Sequence, residues 1–391
     1  MKLLQRTFFI LLSTLVLFFS SAHGALQVDP PSGLTSRNHL LMDAQSGAVL
    51  AENNADERVE PASLVKIMTA YLVFRELKAG NLRLDEEVLV SERAWRTGMT
   101  GASRMYIEVG TTVSVEDLIR GMIVQSGNDA CVALAERIAG TEEAFVDLMN
   151  AQARTLGLRN TMFRNSHGLP SKEPQHTSAR DIVTLARSLI LNFPVYYGYY
   201  SERSFTYNNI TQHNRNILMG RDATVDGVKT GWTSTAGYNL VSSAERDGMR
   251  LVAVVMGIRA SSGRQGALAR ANQSQALLTW GFRQFETVSV RKAGEVLAEP
   301  RIWKGAEKLL PVGLEEPFYV TIPRGSRANL QLEVNLTGDL QAPVVEGQSV
   351  GELRAVMNGE LLGDRPLVAL REVERGGIFR VLRDSVERIF R

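Results

Sequence analysis

Pro61-Ala62-Ser63-Leu64-Val65-Lys66-Ile67-Met68 decides how this chain is read, because it sets a hydroxyl and an amine one helical turn apart. Residues three apart share a helix face, so the Lys66 amine can reach the Ser63 oxygen. A serine hydroxyl is a weak nucleophile until a base takes its proton, and a desolvated lysine is such a base. The residues that follow, Ile67, Met68, Ala70 to Phe74 and Leu77, are apolar nearly all round and predict a buried helix. Ser63 falls at its N-terminus, where the helix dipole favours developing negative charge. The same Ser-x-x-Lys spacing recurs at Ser289 and Lys292, but within an alternating stretch (Val288, Val290). There strand geometry points i and i+3 to opposite faces.

Just before this segment, Leu40 to Asp43, Ala44-Gln45-Ser46-Gly47 and Ala48 to Leu50 read as strand, turn and strand. After it, residues from about 112 to 195 are helical in pattern, with capping boxes at Ser114/Asp117 and Ser178/Asp181. Between them Asn160 to Pro174 is a polar loop long enough to wrap over a site. The period then changes to two in Asp226 to Lys229, Tyr238 to Ala244 and Arg250 to Gly257, with Asp247-Gly248 as a tight hairpin. A helix is expected over roughly Gln265 to Phe285. Helices before and after sequential hairpins predict an α+β fold, an antiparallel sheet flanked by helices.

With 391 residues the chain exceeds what one core usually holds. The catalytic unit is expected over 25–285, a small all-β domain over 286–373, and an amphipathic helix over 374–391. In that tail Ile378, Phe379, Leu382, Val386, Ile389 and Phe390 fall on one side and Arg380, Arg383, Asp384, Glu387, Arg388 and Arg391 largely on the other. It either docks on the protein's own core or lies in a membrane interface, and the second reading is favoured.

Residues 1–24 read as a secretory signal peptide: Lys2 and Arg6, an apolar stretch from Phe8 to Phe19, then small residues before Ala25. Export to an oxidising compartment with a single cysteine, Cys131, excludes an internal disulfide. Cys131 lies in an apolar helical run and reads as a small core residue. A net charge of +2 and the absence of any nucleic-acid motif argue against nucleic acid as a partner. His39, His167, His176 and His213 show no metal-ligand spacing, and no Gly-x-Ser-x-Gly elbow is present.

A hydrolase working through Ser63 needs an oxyanion hole, a proton path to the leaving group and a grip on the substrate. Ser126-Gly127-Asn128 interrupts two helical patterns, so its side chains can project into a cleft. Lys229-Thr230-Gly231 offers a cation and a hydroxyl to a carboxylate, with a glycine that admits a substrate backbone.

Ser-x-x-Lys, Ser-x-Asn and Lys-Thr-Gly in this order look like the active-site set of penicillin-binding proteins and serine β-lactamases. The mature chain resembles the low-molecular-mass penicillin-binding proteins that are D-alanyl-D-alanine carboxypeptidases, the penicillin-binding protein 5/6-like family. The likeness takes in the first hairpin, Phe163 to Leu169, Asn214-Arg215-Asn216, the β domain and the tail. It implies a serine β-lactamase/transpeptidase-like fold, no cofactor, and removal of the terminal D-alanine from peptidoglycan pentapeptide stems through a Ser63 acyl-enzyme that β-lactams also form. It further implies a peripheral place on the periplasmic face of the inner membrane. Carried over, Ser63 is the nucleophile, Lys66 its proton acceptor and Ser126 a relay to the leaving D-alanine. Asn128 holds the substrate backbone, while Lys229, Thr230 and Gly231, helped by Arg264, bind the terminal carboxylate side. The oxyanion hole is expected from backbone N–H groups of Ser63 and of the strand after Gly231.

Gly127 stands where class A β-lactamases carry Asp, and no Glu-x-x-Leu-Asn run follows. Both argue against a β-lactamase, the first alternative. A catalytically weak penicillin-binding scaffold is the second. Trp232, directly after Gly231, is a bulky residue on the substrate-binding strand.

Overall fold

The computed structural model describes residues 28–99 and 102–389. The leader expected at 1–24 lies outside the described residues, as do Phe390 and Arg391. Strands β1 (Asn38–Asp43) and β2 (Val49–Asn53) form the first hairpin, closed by the Ser46 N–H donating to Asp43 Oδ1 at 2.7 Å. A 3-10 turn (Ala62–Val65) feeds α1 (Lys66–Ala79), whose Ile67, Met68, Leu72, Val73 and Phe74 are fully buried. Each such side chain taken out of water contributes roughly 1.5–3 kcal/mol.

The helical layer continues through β3 (Glu87–Leu89), α2 (Glu92–Gly98), β4 (Thr112–Ser114), α3 (Val115–Ile123), α4 (Asn128–Ala139), α5 (Glu142–Thr155), α6 (Ala179–Asn192) and α7 (Pro194–Tyr197). Both expected N-caps form: Ser114 Oγ accepts the Asp117 N–H at 3.1 Å and Ser178 Oγ accepts the Asp181 N–H at 3.2 Å. The small hairpin of β5 (Ser204–Tyr207) and β6 (Ile210–His213) then leads into the sheet.

Strands β7 (Val225–Thr233), β8 (Gly237–Arg246) and β9 (Met249–Ile258) add to the first hairpin in the order β2-β1-β9-β8-β7, all pairs antiparallel. Asp247 and Gly248, at φ of 50° and 78°, make the tight reversal that an Asp-Gly pair favours. Alternate side chains enter different cores. Leu40, Met42, Val241 and Val254 pack with α1 and α6, whereas Leu41, Leu240, Leu251 and Val255 pack under α8 (Gly263–Gln284). Strand β7 is outermost in this sheet, and that edge is where the site forms.

Beyond α8 come β10 (Phe285–Arg291), β11 (Val312–Gly313), β12 (Phe318–Pro323), β13 (Leu330–Leu336), β14 (Ser349–Met357) and β15 (Glu360–Ala369). They form the sheets β10-β12 and β11-β15-β14-β13 around a separate core that includes Val288, Ile302, Leu310, Phe318 and Leu353. Ser289 pairs with Tyr319 inside β10, so the second Ser-x-x-Lys has no helical face. Thr287 Oγ1 donates to Asp43 Oδ2 at 2.6 Å, tying β10 to the first hairpin.

The tail helix α9 (Ile378–Ile389) lies on the β domain by its polar side. Asp384 is 2% exposed, accepts the Lys304 N–H at 2.7 Å and pairs with Arg301, which also bonds Glu387. Its apolar side faces outward, with Phe379 91% and Ile378 77% exposed. This arrangement is the reverse of a helix docked on a hydrophobic core. No described helix is long and apolar enough to cross a membrane.

Candidate active site

Ser63 stands in the 3-10 turn and Lys66 opens α1. Lys66 Nζ donates to Ser63 Oγ at 3.1 Å, to Asn128 Oδ1 at 2.7 Å and to the His167 carbonyl at 2.5 Å. All three acceptors are uncharged, and Lys66 is 1% exposed. Burial therefore disfavours the ammonium and brings the amine down to about 8. That is the condition for a lysine to accept a proton near neutral pH.

The turn between α3 and α4 supplies Ser126 and Asn128. Ser126 sits at φ 60°, a left-handed conformation that costs a non-glycine residue roughly 1–2 kcal/mol. The strain is held in place by Asp129, which is buried and accepts the N–H groups of Met105 at 2.8 Å and Tyr106 and Ala130 at 3.0 Å each. The Asn128 N–H donates to the Ser103 carbonyl at 2.9 Å, pinning the 102–107 segment to the same turn. Gly127 is required by this packing: a Cβ there would lie 2.8 Å from Asp129 Oδ1 and 3.0 Å from the Met105 nitrogen. An aspartate has no room at this position.

Strand β7 passes beside Ser63. A Cβ at Gly231 would lie 3.3 Å from the Ser63 nitrogen and from the Pro61 oxygen, so the backbone approaches as closely as glycine permits. Lys229 Nζ donates to Ser126 Oγ at 2.9 Å. Burial, reinforced by the Lys66 charge, holds the Lys229 amine well below its ordinary value. Thr230 and Trp232 project from the other face of the strand, beside Leu240 and Tyr238 of β8. The expected wrapping loop is present too. His167 grips Lys66 through its carbonyl, Leu169 and Pro170 line the cleft, and Gly168 at φ 91° has no space for a side chain, its Cβ position lying 1.9 Å from the Ala62 oxygen.

The cleft encloses about 1070 Å³, and none of its described lining residues is acidic. Its permanent charges include Arg215 and Arg270. Arg215 donates to Ser103 Oγ at 2.5 Å. Among the described residues Arg270, buried on α8, donates to the Asn239 and Arg215 carbonyls, at 3.4 and 3.3 Å. Burial and then the neighbouring Arg215 charge pull Arg270 down to about 10, a value at which it is still a cation at neutral pH. Ser63, Ser126, Asn128, Thr230 and Gly231 all line this cleft, while Lys66 and Lys229 stand behind them. Arg264 does not join them. It is exposed on the first turn of α8 and lies outside the cleft lining, whereas Gly263 beside it and Arg270 two turns on are within it. Reading the sequence for single triplets passes over Asp129 and Arg270. The i+7 spacing from Gly263 to Arg270 is the signal that places the latter on the cleft side of α8.

Cys131 is not part of this chemistry: burial pushes its thiol up to about 12, so no thiolate is available. What the arrangement can do is remove a proton from Ser63, pass protons along Ser126, and hold an anion against Thr230.

Comparison with known proteins gives the following likenesses. Residues 25–260 match the family model described as D-alanyl-D-alanine carboxypeptidase, and residues 285–375 match the C-terminal domain of penicillin-binding protein 5. D-alanyl-D-alanine carboxypeptidase DacC of Escherichia coli (strain K12) is 44% identical over 95% of this chain and 92% of its own length. DacA of Haemophilus influenzae is 41% identical over 91% and 90%. The solved structure of penicillin-binding protein 5 from Haemophilus influenzae superposes with a TM-score of 0.83 at 40% identity, covering 89% of this chain and all of that one.

Proposed function

This chain belongs to the D-alanyl-D-alanine carboxypeptidase family, and from that membership we propose that Ser63 carries its reaction on peptidoglycan stem peptides. The observation that carries the assignment is the 3.1 Å contact from Lys66 Nζ to Ser63 Oγ in a cleft whose described lining bears no acidic side chain. Lys66 takes the Ser63 proton as the oxygen attacks the carbonyl between the last two D-alanines. The resulting oxyanion lies against the Ser63 N–H and the N–H of the residue after Gly231. Ser126, held by Lys229, returns a proton to the departing amine. Asn128, whose Oδ1 is engaged by Lys66, has its Nδ2 left to orient the substrate backbone. Thr230 and Lys229 bind the terminal carboxylate, with Arg215 and Arg270 supplying fixed positive charge in the place first given to Arg264. Water then hydrolyses the acyl-enzyme.

The test uses purified protein and a peptide ending in D-Ala-D-Ala. D-alanine is released, penicillin adds covalently to Ser63, and Ser63→Ala abolishes both. Continued release by Ser63→Ala overturns the assignment. Rapid drug turnover in place of a lasting adduct would favour the β-lactamase reading.

We infer that the leader at 1–24 exports the enzyme and that its tail then keeps it on the periplasmic face of the inner membrane. Residues 25–285 serve as the catalytic unit, 286–373 as a β spacer, and 374–391 as a peripheral membrane contact. Supporting this, α9 is fixed to the β domain by Asp384 and turns Phe379 and Ile378 outward. Deleting 375–391 moves the protein from the membrane to the soluble fraction with activity retained, and unchanged partitioning overturns the contact.

A further inference from the structure

Trp232 is 54% exposed inside a substrate cleft, which leaves a large apolar surface in water at the point where a ligand sits. It is also rigidly backed. Register sets Trp232 opposite Tyr238, with ring centroids 5.7 Å apart and planes at 36°. Tyr238 in turn lies flat against α8 at Gly266, where a Cβ would be 2.4 Å from three atoms of its ring. Gly266 thus seats Tyr238, and Tyr238 supports the indole. The turn that follows is fixed by Arg259, which donates to the Ser234 and Thr235 carbonyls at 2.8 Å each.

Strand alternation puts Trp232 on the same face as Thr230, two residues and about 7 Å along. In the carboxypeptidase reading, on which this inference rests, the scissile carbonyl meets the Trp232 N–H and the terminal carboxylate meets Thr230. The departing residue spans that interval, and the indole flanks its side chain. An alanine methyl covers little of such a ring. The side chain that matches it is larger and apolar, and Arg259 and Arg215 at the same cleft disfavour a cationic one.

We propose that Trp232 is a specificity-determining residue for the departing position and that it makes the enzyme accept stems ending in a D-amino acid with an apolar side chain larger than methyl. The experiment compares kcat/KM for two otherwise identical acyl peptides, one ending in D-Ala-D-Ala and one in D-Ala-D-Leu. The wild-type values are expected within about 10-fold of one another. Trp232→Ser lowers the D-Leu to D-Ala ratio by about 10-fold, the scale of a lost apolar contact in a specificity pocket, and Trp232→Phe restores most of it. Stoichiometric penicillin labelling of Ser63 in each variant shows that the fold is intact. A ratio unchanged in Trp232→Ser, or a wild type that leaves the D-Leu peptide uncleaved while releasing D-alanine, overturns the proposal. Failure of the wild type on both peptides overturns the carboxypeptidase reading and this proposal with it.

Discussion

Replacing Glu142 with glutamine tests whether the loop over the site positions the base. Glu142 is 5% exposed at the start of α5 and does not touch the cleft. Its Oε1 accepts the Ser166 N–H at 2.9 Å and the Ser166 hydroxyl at 2.7 Å, and its Oε2 accepts Arg93 at 2.8 Å. His167 Nε2 lies 3.5 Å away. The loop held in this way returns two carbonyls to α1, Ser166 O to Thr69 Oγ1 at 2.6 Å and His167 O to Lys66 Nζ at 2.5 Å. Glutamine keeps one acceptor for Ser166 but turns an amide donor toward Arg93. The loss of one charge-assisted bond to a buried acceptor costs about 2–3 kcal/mol of stability. A shift of about 1 Å in the His167 carbonyl costs on the order of 100-fold in kcat.

The discriminating readout is the pH profile. Hydrogen bonds to an ammonium stabilise it, so a Lys66 that loses the His167 acceptor becomes easier to deprotonate. The acid limb of kcat/KM in Glu142→Gln therefore moves to lower pH while the plateau falls. The charged and titratable groups around Lys66 include Asp129 and Cys131 on α4, Arg215, Lys229 on β7, and the His167 imidazole with Glu142 behind it, burial holding that imidazole down to about 4 and so neutral across the acid limb. Removing Glu142 takes away negative charge on that side, which acts in the same direction. An acid limb that stays in place, with activity falling only in step with the folded fraction, would refute the positioning role.

Three further outcomes follow from the same geometry. With Lys66 brought to about 8 by burial, penicillin acylation of the wild type should rise through about pH 8 and then level off, measured as a second-order rate from pH 6 to 9.5. Over the upper part of that range the native state sheds a proton that an unfolded lysine, titrating near 10.4, retains. Stability therefore rises with pH there, by roughly 2 kcal/mol at most from this group, and chemical denaturation at pH 8 and 9.5 measures it. Gly127→Ala drives a methyl against Asp129 and Met105, so it should destabilise by about 1–3 kcal/mol and lower the rate of acylation, read from a melting curve and the same drug assay.

Much of this was legible from sequence where a signal is local. The all-round apolar α1, the caps at Ser114 and Ser178 and the Asp247-Gly248 reversal each depend on neighbours within a few residues, and all are present. The three triplets that the structure gathers at one cleft were likewise readable as a set, because each has its own local structure. What sequence did not yield depends on partners far along the chain. Asp129 looks like an ordinary first-turn residue of α4 until Met105 and Tyr106 arrive from more than 20 positions away. Arg264, expected from the family resemblance to help bind the carboxylate, is exposed outside the cleft lining, whereas the cleft takes the helix face that carries Gly263 and Arg270. The β5–β6 hairpin escaped notice because its strands are only four residues long and mostly exposed, leaving little apolar alternation to read.

The distribution of cations across β7 follows from what each side has to do. On the α1 side both cations are amines: Lys66, held among neutral acceptors and so easily deprotonated, and Lys229, which holds Ser126 and whose burial weakens the positive charge it lends Thr230 for the carboxylate. A proton-transfer group works best when its pKa lies near the working pH, and a lysine can be brought there by burial alone. On the α8 side the cations of the cleft are guanidiniums, Arg259 before the helix and Arg270 on it, and even Arg270 at about 10 remains charged at neutral pH. A site that holds a carboxylate needs charge that burial and crowding do not remove, which an arginine retains and a lysine in the same place loses. Arg270→Lys should therefore weaken peptide binding more as pH rises, through a growing KM, whereas the wild-type KM stays flat over the same range. A parallel pH dependence in both proteins would mean that Arg270 contributes shape to the cleft and not charge.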